Sequence, residues 1–176
     1  MLDFRHDGRC PSARTHPVNS RSAVGSAAIL GESVRIALPT EQQVADLHEQ
    51  LLAKLGGLPG SRIGTSIGAV LGRIQMNLAY RFERPTVQQV AAIAVYAFTV
   101  GHPFNDANKR TALAVGDLIL LMNDQKVIQR EHQIALANLI VDLAAGKTDQ
   151  ERFMEKYIKM LEQGAEKPEA GGWTNE

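Results

Sequence analysis

The stretch TALAVGDLILLM, from Thr111 to Met122, is apolar on nearly every side when it is drawn as a helix. A helix without a polar face has to be covered on all sides by other parts of the chain. Its one charged residue is Asp117, which we interpret as a carboxylate that is paired or lies at the rim of the fold. The sequence therefore predicts a central buried helix, from about Asp106 to Met122, with further helices packed around it.

The segment PTEQQVADLHEQLLAKLGG carries the signals of the first of these surrounding helices. Thr40 and Gln43 have the spacing of a capping box, in which each side chain bonds to the backbone of the other residue. Apolar residues then recur at helical spacing until Gly56, a stop signal. His48 lies beside the apolar face and is interpreted as a surface histidine.

Similar patterns along the rest of the chain predict an all-α fold, a compact bundle of about six helices with short connections. Strand-like alternation is confined to a few residues near 34–37 and 127–129. The connector GLPGSRIG has glycines but no Lys-Ser/Thr pair of a phosphate-binding loop, which favours a plain link between helices. Capping-box spacing recurs at Thr86 with Gln89 and at Thr148 with Glu151, and the predicted helices span about 40–55, 67–80, 86–101, 106–122, 131–145 and 148–161.

Length and charge bound the class of protein. A chain of 176 residues suits one domain, with residues 1–36 as a flexible N-terminal arm, 37–163 as the folded domain and 164–176 as a flexible tail. The net charge is zero, which gives no indication of a nucleic-acid or membrane partner. The single cysteine excludes an internal disulfide, and no apolar run is long enough to span a membrane. We expect a cytoplasmic protein.

The stretch HPFNDANKRT places two cations, Lys109 and Arg110, in the first turn of the predicted central helix. Helix N-termini carry partial positive charge and favour acidic residues, so this pair is unfavourable unless an anion lies there. Free backbone N–H groups, an ammonium and a guanidinium fork suit a polyphosphate. Asn108 can bind the same anion, and Ala107 is small enough to let phosphate approach the backbone.

Two further residues of this stretch complete a candidate active site. Asp106 is either an N-cap of the helix or a ligand of Mg²⁺, which commonly binds one carboxylate together with phosphate oxygens. His102, in the loop before the helix, is positioned to accept a proton from an attacking hydroxyl. The sequence therefore predicts a site for a nucleotide–Mg²⁺ complex.

HPFNDANKRTAL resembles the signature of the Fic/Doc superfamily, and most closely that of the death-on-curing (Doc) toxins of bacterial and phage toxin–antitoxin pairs. The similarity extends to GGLPG, IGAVLGRIQMNLAY and LAAGKT, over about residues 38–161. Most Fic proteins transfer AMP and carry HPFx(D/E)GNGR, where this chain has Ala107 and Lys109 in place of the glycines. The resemblance implies that ATP binds in the reversed orientation and that the reaction is protein phosphorylation on a threonine of elongation factor Tu. It also implies an antitoxin that inhibits the enzyme.

The resemblance assigns roles to individual residues. His102 would be the general base, and Asp106 would assist the metal or the histidine. Phe104 would anchor the loop. Asn108, Lys109 and Arg110 would bind phosphate, with Lys109 and Arg110 counted among the catalytic residues. An exposed loop or the family's substrate-aligning flap is expected at Tyr80, Arg81, Phe82, Glu83 and Arg84.

Two positions depart from Doc relatives, some of which carry arginine at the position of Val100 and asparagine at that of Ala114. The inhibitory (S/T)xxxE(G/N) helix of many Fic enzymes has no counterpart in the sequence, since no Ser or Thr lies four residues before a Glu. A separate antitoxin is therefore favoured. Two alternatives stay open, which are an enzyme that transfers AMP through the same pocket and a catalytically silent module that binds an antitoxin.

Overall fold

A computed structural model describes residues 36–163, and the predictions for residues 1–35 and 164–176 lie outside that range. The described chain is all-α, as predicted, and contains no strand. A single β-bridge joins Ser61 to Phe104, and the possible strand at 127–129 is not formed. The helices are α1 (Glu41–Leu55), α2 (Ile67–Arg81), α3 (Val87–Gly101), α4 (Asn108–Met122), α5 (Gln133–Ala144) and α6 (Gln150–Gln163), with a short 3₁₀ turn at Arg130–His132.

Local capping fixes where the first helices begin. The side chains of Thr40 and Thr86 each accept a hydrogen bond from the backbone N–H three residues on, and their own backbone N–H groups donate to the Gln43 and Gln89 side chains, so both predicted capping boxes are confirmed. Ser66 caps α2 in the simpler one-sided way. Each such cap satisfies a backbone N–H that the helix itself leaves unpaired.

The capping box predicted at Thr148 and Glu151 is wrong. The Asp149 carboxylate accepts a hydrogen bond from the backbone N–H of Arg152 at 2.8 Å. Helix α6 starts directly after Asp149, at Gln150. Asp is a strong N-cap, so it displaces the weaker Thr cap beside it. Glu151 instead forms an ion pair with Arg81 of α2 at 2.8 Å.

The most enclosed helix is α3 and not α4, which corrects the predicted centre of the bundle. Helix α3 packs against α2, α4, α5 and α6, and its residues from Val90 to Val95 are all buried. Its run of alanines allows other helices to approach closely from several sides. Helix α4 lies along α3 with one face buried, while its other face stays half open and Leu121 is 61% exposed.

Asp117 lies on this half-open face of α4, partly buried. Neither ion pair of residues 36–163 includes it. Burial raises the pKa of Asp117 to about 6. Asp117 in turn contributes to a raised pKa of the Tyr157 phenol on α6, after the larger effect of burial. The carboxylate is thus at the rim of the fold, as predicted, but it has no cation to compensate it within the described range.

We predict that Asp117→Asn stabilises the protein at pH 7. In the unfolded chain an aspartate titrates near pH 4, whereas the folded state holds the proton up to about pH 6. The charged form of Asp117 therefore lowers the free energy of unfolding by its full amount above about pH 6 and not at all below about pH 4. The free energy of unfolding should rise by roughly 2–3 kcal/mol at pH 7 and stay unchanged at pH 4. Urea unfolding at both values measures this, with Asp142→Asn, at the half-exposed Asp142–Lys147 pair, as the control.

Candidate active site

The turn between α3 and α4 carries the predicted general base. His102 follows the last residue of α3 with φ 43°, in the left-handed region, and its backbone N–H still bonds to Phe98. The Nδ1 atom donates to the carbonyl of Val100 at 3.2 Å. A carbonyl only accepts, so the proton of the neutral ring lies on Nδ1. The lone pair of Nε2 is therefore the one that can take a proton from a substrate.

The loop after His102 is fixed by Phe104 and Asn108. Phe104 is 3% exposed, so its side chain lies in the core. The Asn108 amide bonds to both backbone groups of Phe104, accepting from the N–H at 3.0 Å and donating to the carbonyl at 2.8 Å. Asn108 thus closes the loop, and one N–H of its amide remains for a ligand.

Helix α4 begins with an open N-terminus. It starts at Asn108, two residues later than predicted, because Ala107 takes a left-handed conformation with φ 59° and serves as N-cap without a side-chain bond. The first intrahelical bond is donated by Thr111 to the Ala107 carbonyl at 2.9 Å. The N–H groups of residues 108–110 therefore have no intrahelical acceptor and can face an anion.

Neither cation of the first turn forms an ion pair with a carboxylate of residues 36–163, although Asp106 lies close enough to Arg110 for their charges to attract. Lys109 is exposed and Arg110 is half-buried. The two ion pairs found within residues 36–163 are Arg81–Glu151 and Lys147–Asp142, both far from this turn in the sequence. The Arg110 guanidinium donates to the backbone carbonyl of Gly56 at 3.0 Å, which orients it without cancelling its charge.

Asp106 lies just before this turn and is held by backbone donors. Its carboxylate accepts from the N–H of Ala107 and, at 3.3 Å, from that of Leu58. These bonds, and then the charge of Arg110, lower the pKa of Asp106, so it is ionised at neutral pH. Asp106 precedes the N-cap and does not occupy it. No group of three or more His, Cys, Asp or Glu side chains within the described range is arranged to hold a metal by itself.

The connector between α1 and α2 forms the other wall of the site, which the sequence did not predict. The backbone N–H of Arg62 donates to the carbonyl of Pro103 at 2.9 Å, and the backbone N–H of Asn105 donates to the carbonyl of Gly60 at 3.0 Å. The Asn105 side chain adds a bond to Pro59 at 3.0 Å. The signal in the sequence was the cluster of glycines, several of which have positive φ, but nothing local shows which loop they contact.

The structure does not bring Tyr80–Arg84 to this site. This stretch joins the C-terminus of α2 to the start of α3, whereas His102 follows the opposite end of α3. Fifteen residues of helix separate the two ends by about 22 Å. Within the stretch, Tyr80 is exposed, Phe82 packs against the core and Arg81 binds Glu151. The position does not suit a flap beside His102, and the resemblance misplaced that role.

His48 is a second correction, since it is 3% exposed and not at the surface. Its ring stacks on Phe104, and its Nδ1 lies 3.0 Å from the hydroxyl of Thr111. Its spacing of four residues from the buried Val44 was the available signal, because residues four apart share a helix face. The residue thus belongs to the surroundings of the site.

Comparisons with known proteins identify the family of the chain. A family model, the Fic/DOC family, matches residues 38–120, and the chain belongs to this family. It is also similar to a curated protein, the protein kinase doc of Escherichia phage P1. The two are 37% identical over 106 residues, which cover 60% of this chain and 81% of the phage protein. No helix of the described residues is long and apolar enough to cross a membrane.

We predict that Gly57→Ala disturbs the site. A Cβ atom at Gly57 would lie 2.7 Å from Leu52 and 2.8 Å from the Asp106 carboxylate, and φ is +138°. Gly64→Ala is the matched control, because its φ is +86° and no atom lies within 4 Å. We expect Gly57→Ala to lower the free energy of unfolding by about 1–3 kcal/mol more than the control does. Urea unfolding measures this difference. An equal loss of unfolding free energy in both variants would contradict the predicted steric crowding at Gly57.

Proposed function

We propose that the protein is the toxin of a toxin–antitoxin pair, a cytoplasmic kinase that transfers the γ-phosphate of ATP to a threonine of elongation factor Tu and thereby blocks translation. The observation that carries the proposal is the first turn of α4, where Lys109 and Arg110 lie without an ion pair at an open helix N-terminus that follows the His102 loop. The kinship with a protein named as a kinase supports it.

The first turn of α4 supplies the phosphate site. Lys109 provides a compact positive charge, and Arg110 a planar fork that can bind two phosphate oxygens. The free N–H groups after Ala107 and the remaining N–H of the Asn108 amide add donors. Arg110 keeps donors for a ligand, because only one of its N–H groups is seen bonded to Gly56.

His102 acts as the general base. Its Nε2 accepts the proton of the attacking threonine hydroxyl as that oxygen forms a bond to the γ-phosphorus. The bond from the γ-phosphorus to the bridging oxygen breaks, and ADP leaves with that oxygen. The bond from Nδ1 to Val100 holds the ring in the tautomer that this step requires.

Asp106 fits a magnesium ion that arrives with ATP. The carboxylate is ionised and retains lone pairs beyond its two backbone bonds. Mg²⁺ in phosphoryl-transfer sites is commonly held by one or two carboxylates together with substrate phosphates. When bound, the ion would neutralise part of the phosphate charge.

The connector suits the role of a flap better than Tyr80–Arg84 does. Residues 60–62 run antiparallel to the loop at Phe104 and bond to it. A segment held this close to His102 can align a target peptide through its backbone. Because the sequence has no inhibitory (S/T)xxxE(G/N) helix, we place inhibition in a separate antitoxin.

Labelled ATP tests the reaction. The protein is incubated with elongation factor Tu, Mg²⁺ and ATP that carries the label on either the α or the γ phosphate. We expect only γ label on the target, and none with His102→Ala. His132→Ala is the matched control, because this histidine lies in the 3₁₀ turn outside the motif, and it should keep full activity.

Other results of this experiment would contradict the kinase. Incorporation of α label would assign AMP transfer to the same pocket. No label from either position, together with equal toxicity of wild type and His102→Ala in cells, would indicate a silent module that binds an antitoxin.

We also predict that Lys109→Ala reduces γ-phosphate transfer by about 100-fold, the scale of one lost charged contact in a phosphoryl-transfer site. Lys156→Ala on α6 is the control, since Lys156 is equally exposed and lies outside the motif. Initial rates at saturating ATP measure the effect. A Lys109→Ala rate equal to that of the control would exclude Lys109 from the reaction.

A further inference from the structure

His48 is buried in α1 beside the site, although no step of the proposed reaction uses it. Its ring stacks on Phe104 with centroids 3.7 Å apart and planes 9° from parallel. Its Nδ1 lies 3.0 Å from Oγ1 of Thr111, in the first turn of α4. The His48 side chain, which belongs to α1, therefore contacts both the loop before α4 and the start of α4.

The second ring nitrogen of His48 shows which contact matters. Nε2 is buried and has no hydrogen-bond partner within residues 36–163, an arrangement that lowers stability. A phenylalanine could keep the stacking without an unpaired nitrogen. The feature that a phenylalanine lacks is Nδ1, so the bond to Thr111 is what the histidine adds.

Burial favours the neutral form of His48, although the surrounding charges act in sum in the opposite direction. Burial is the largest effect and lowers the pKa of His48, and Arg110 acts in the same direction. Glu49 of α1 and Asp106 of the loop oppose them more weakly in sum. A neutral ring lies next to the phosphate-binding turn without repelling its cations.

We propose that His48 is a positioning residue for phosphoryl transfer, which acts by clamping the loop that carries the general base against the helix turn that carries the phosphate-binding cations. The purpose of this clamp rests on the proposed function, whereas the clamp itself is a property of the fold. Small displacements of catalytic groups lower rates strongly, which gives such a clamp its value.

Two substitutions remove the proposed bond from opposite sides. His48→Phe keeps an aromatic ring against Phe104, and Thr111→Val keeps the shape of the side chain. We expect each to raise the hydrogen-exchange rates of the bonded amides of residues 104, 105 and 107 about five- to tenfold, which is the effect of losing one buried hydrogen bond. The double variant should show no more than either single one, because both remove the same contact.

The same variants separate positioning from mere stabilisation. The double variant leaves no orphaned nitrogen or hydroxyl, so its thermal midpoint should stay within about 2 °C of wild type. Its kcat for γ-phosphate transfer should nevertheless fall about five- to tenfold, with little change in the KM for ATP. A residue with a purely structural role would lower the midpoint and leave kcat alone.

Val44→Ala is the control, since Val44 is buried one turn earlier on α1 and belongs to the hydrophobic core. It should lower the thermal midpoint without selectively raising the exchange rates of amides 104, 105 and 107. Unchanged exchange in His48→Phe, or an equal selective increase in Val44→Ala, would overturn the clamp. If no acceptor is phosphorylated but the exchange effect appears, the proposed function fails while the clamp is confirmed.

Discussion

The site depends on the turn in which the chain leaves α3 and enters α4. Two non-glycine residues of this turn, His102 and Ala107, adopt left-handed backbone conformations, which cost about 1 kcal/mol or more each for such residues. The burial of Phe104, and the two hydrogen bonds between the Asn108 amide and the Phe104 backbone, hold the chain in this shape. The strained turn places a histidine and an open helix N-terminus side by side, and neither would be useful to the proposed reaction without the other.

The electrostatics of the site follow from backbone contacts more than from ion pairs. Asp106 and Arg110 are four residues apart, yet each is held by the connector after α1, through Leu58 and Gly56 respectively. Peptide groups orient the charges without neutralising them. The carboxylate therefore stays available for a cation and the guanidinium for an anion, which is the combination that a magnesium–nucleotide complex requires.

The parts of the structure that depend on local sequence could be predicted, and those that depend on distant contacts could not. The capping boxes at Thr40 and Thr86 and the helices that follow them are decided within one turn of chain. The same holds for the crowding of cations in the first turn of α4. The choice of α3 as the enclosed helix, the burial of His48 and the docking of the connector are set by packing between segments far apart in sequence. A single sequence carries no direct record of such pairings, and the resemblance placed the flap at a loop that lies at the opposite end of α3 from His102.

The bridge between Ser61 and Phe104 has a consequence for how the protein is made. It joins residues more than forty positions apart, and closing such a loop costs entropy that only later contacts repay. The bridge next to His102 can therefore form only after α1, α2 and α3 have been synthesised. A nascent chain that still lacks α4 has no complete site, so any activity of this site begins only with the folded protein.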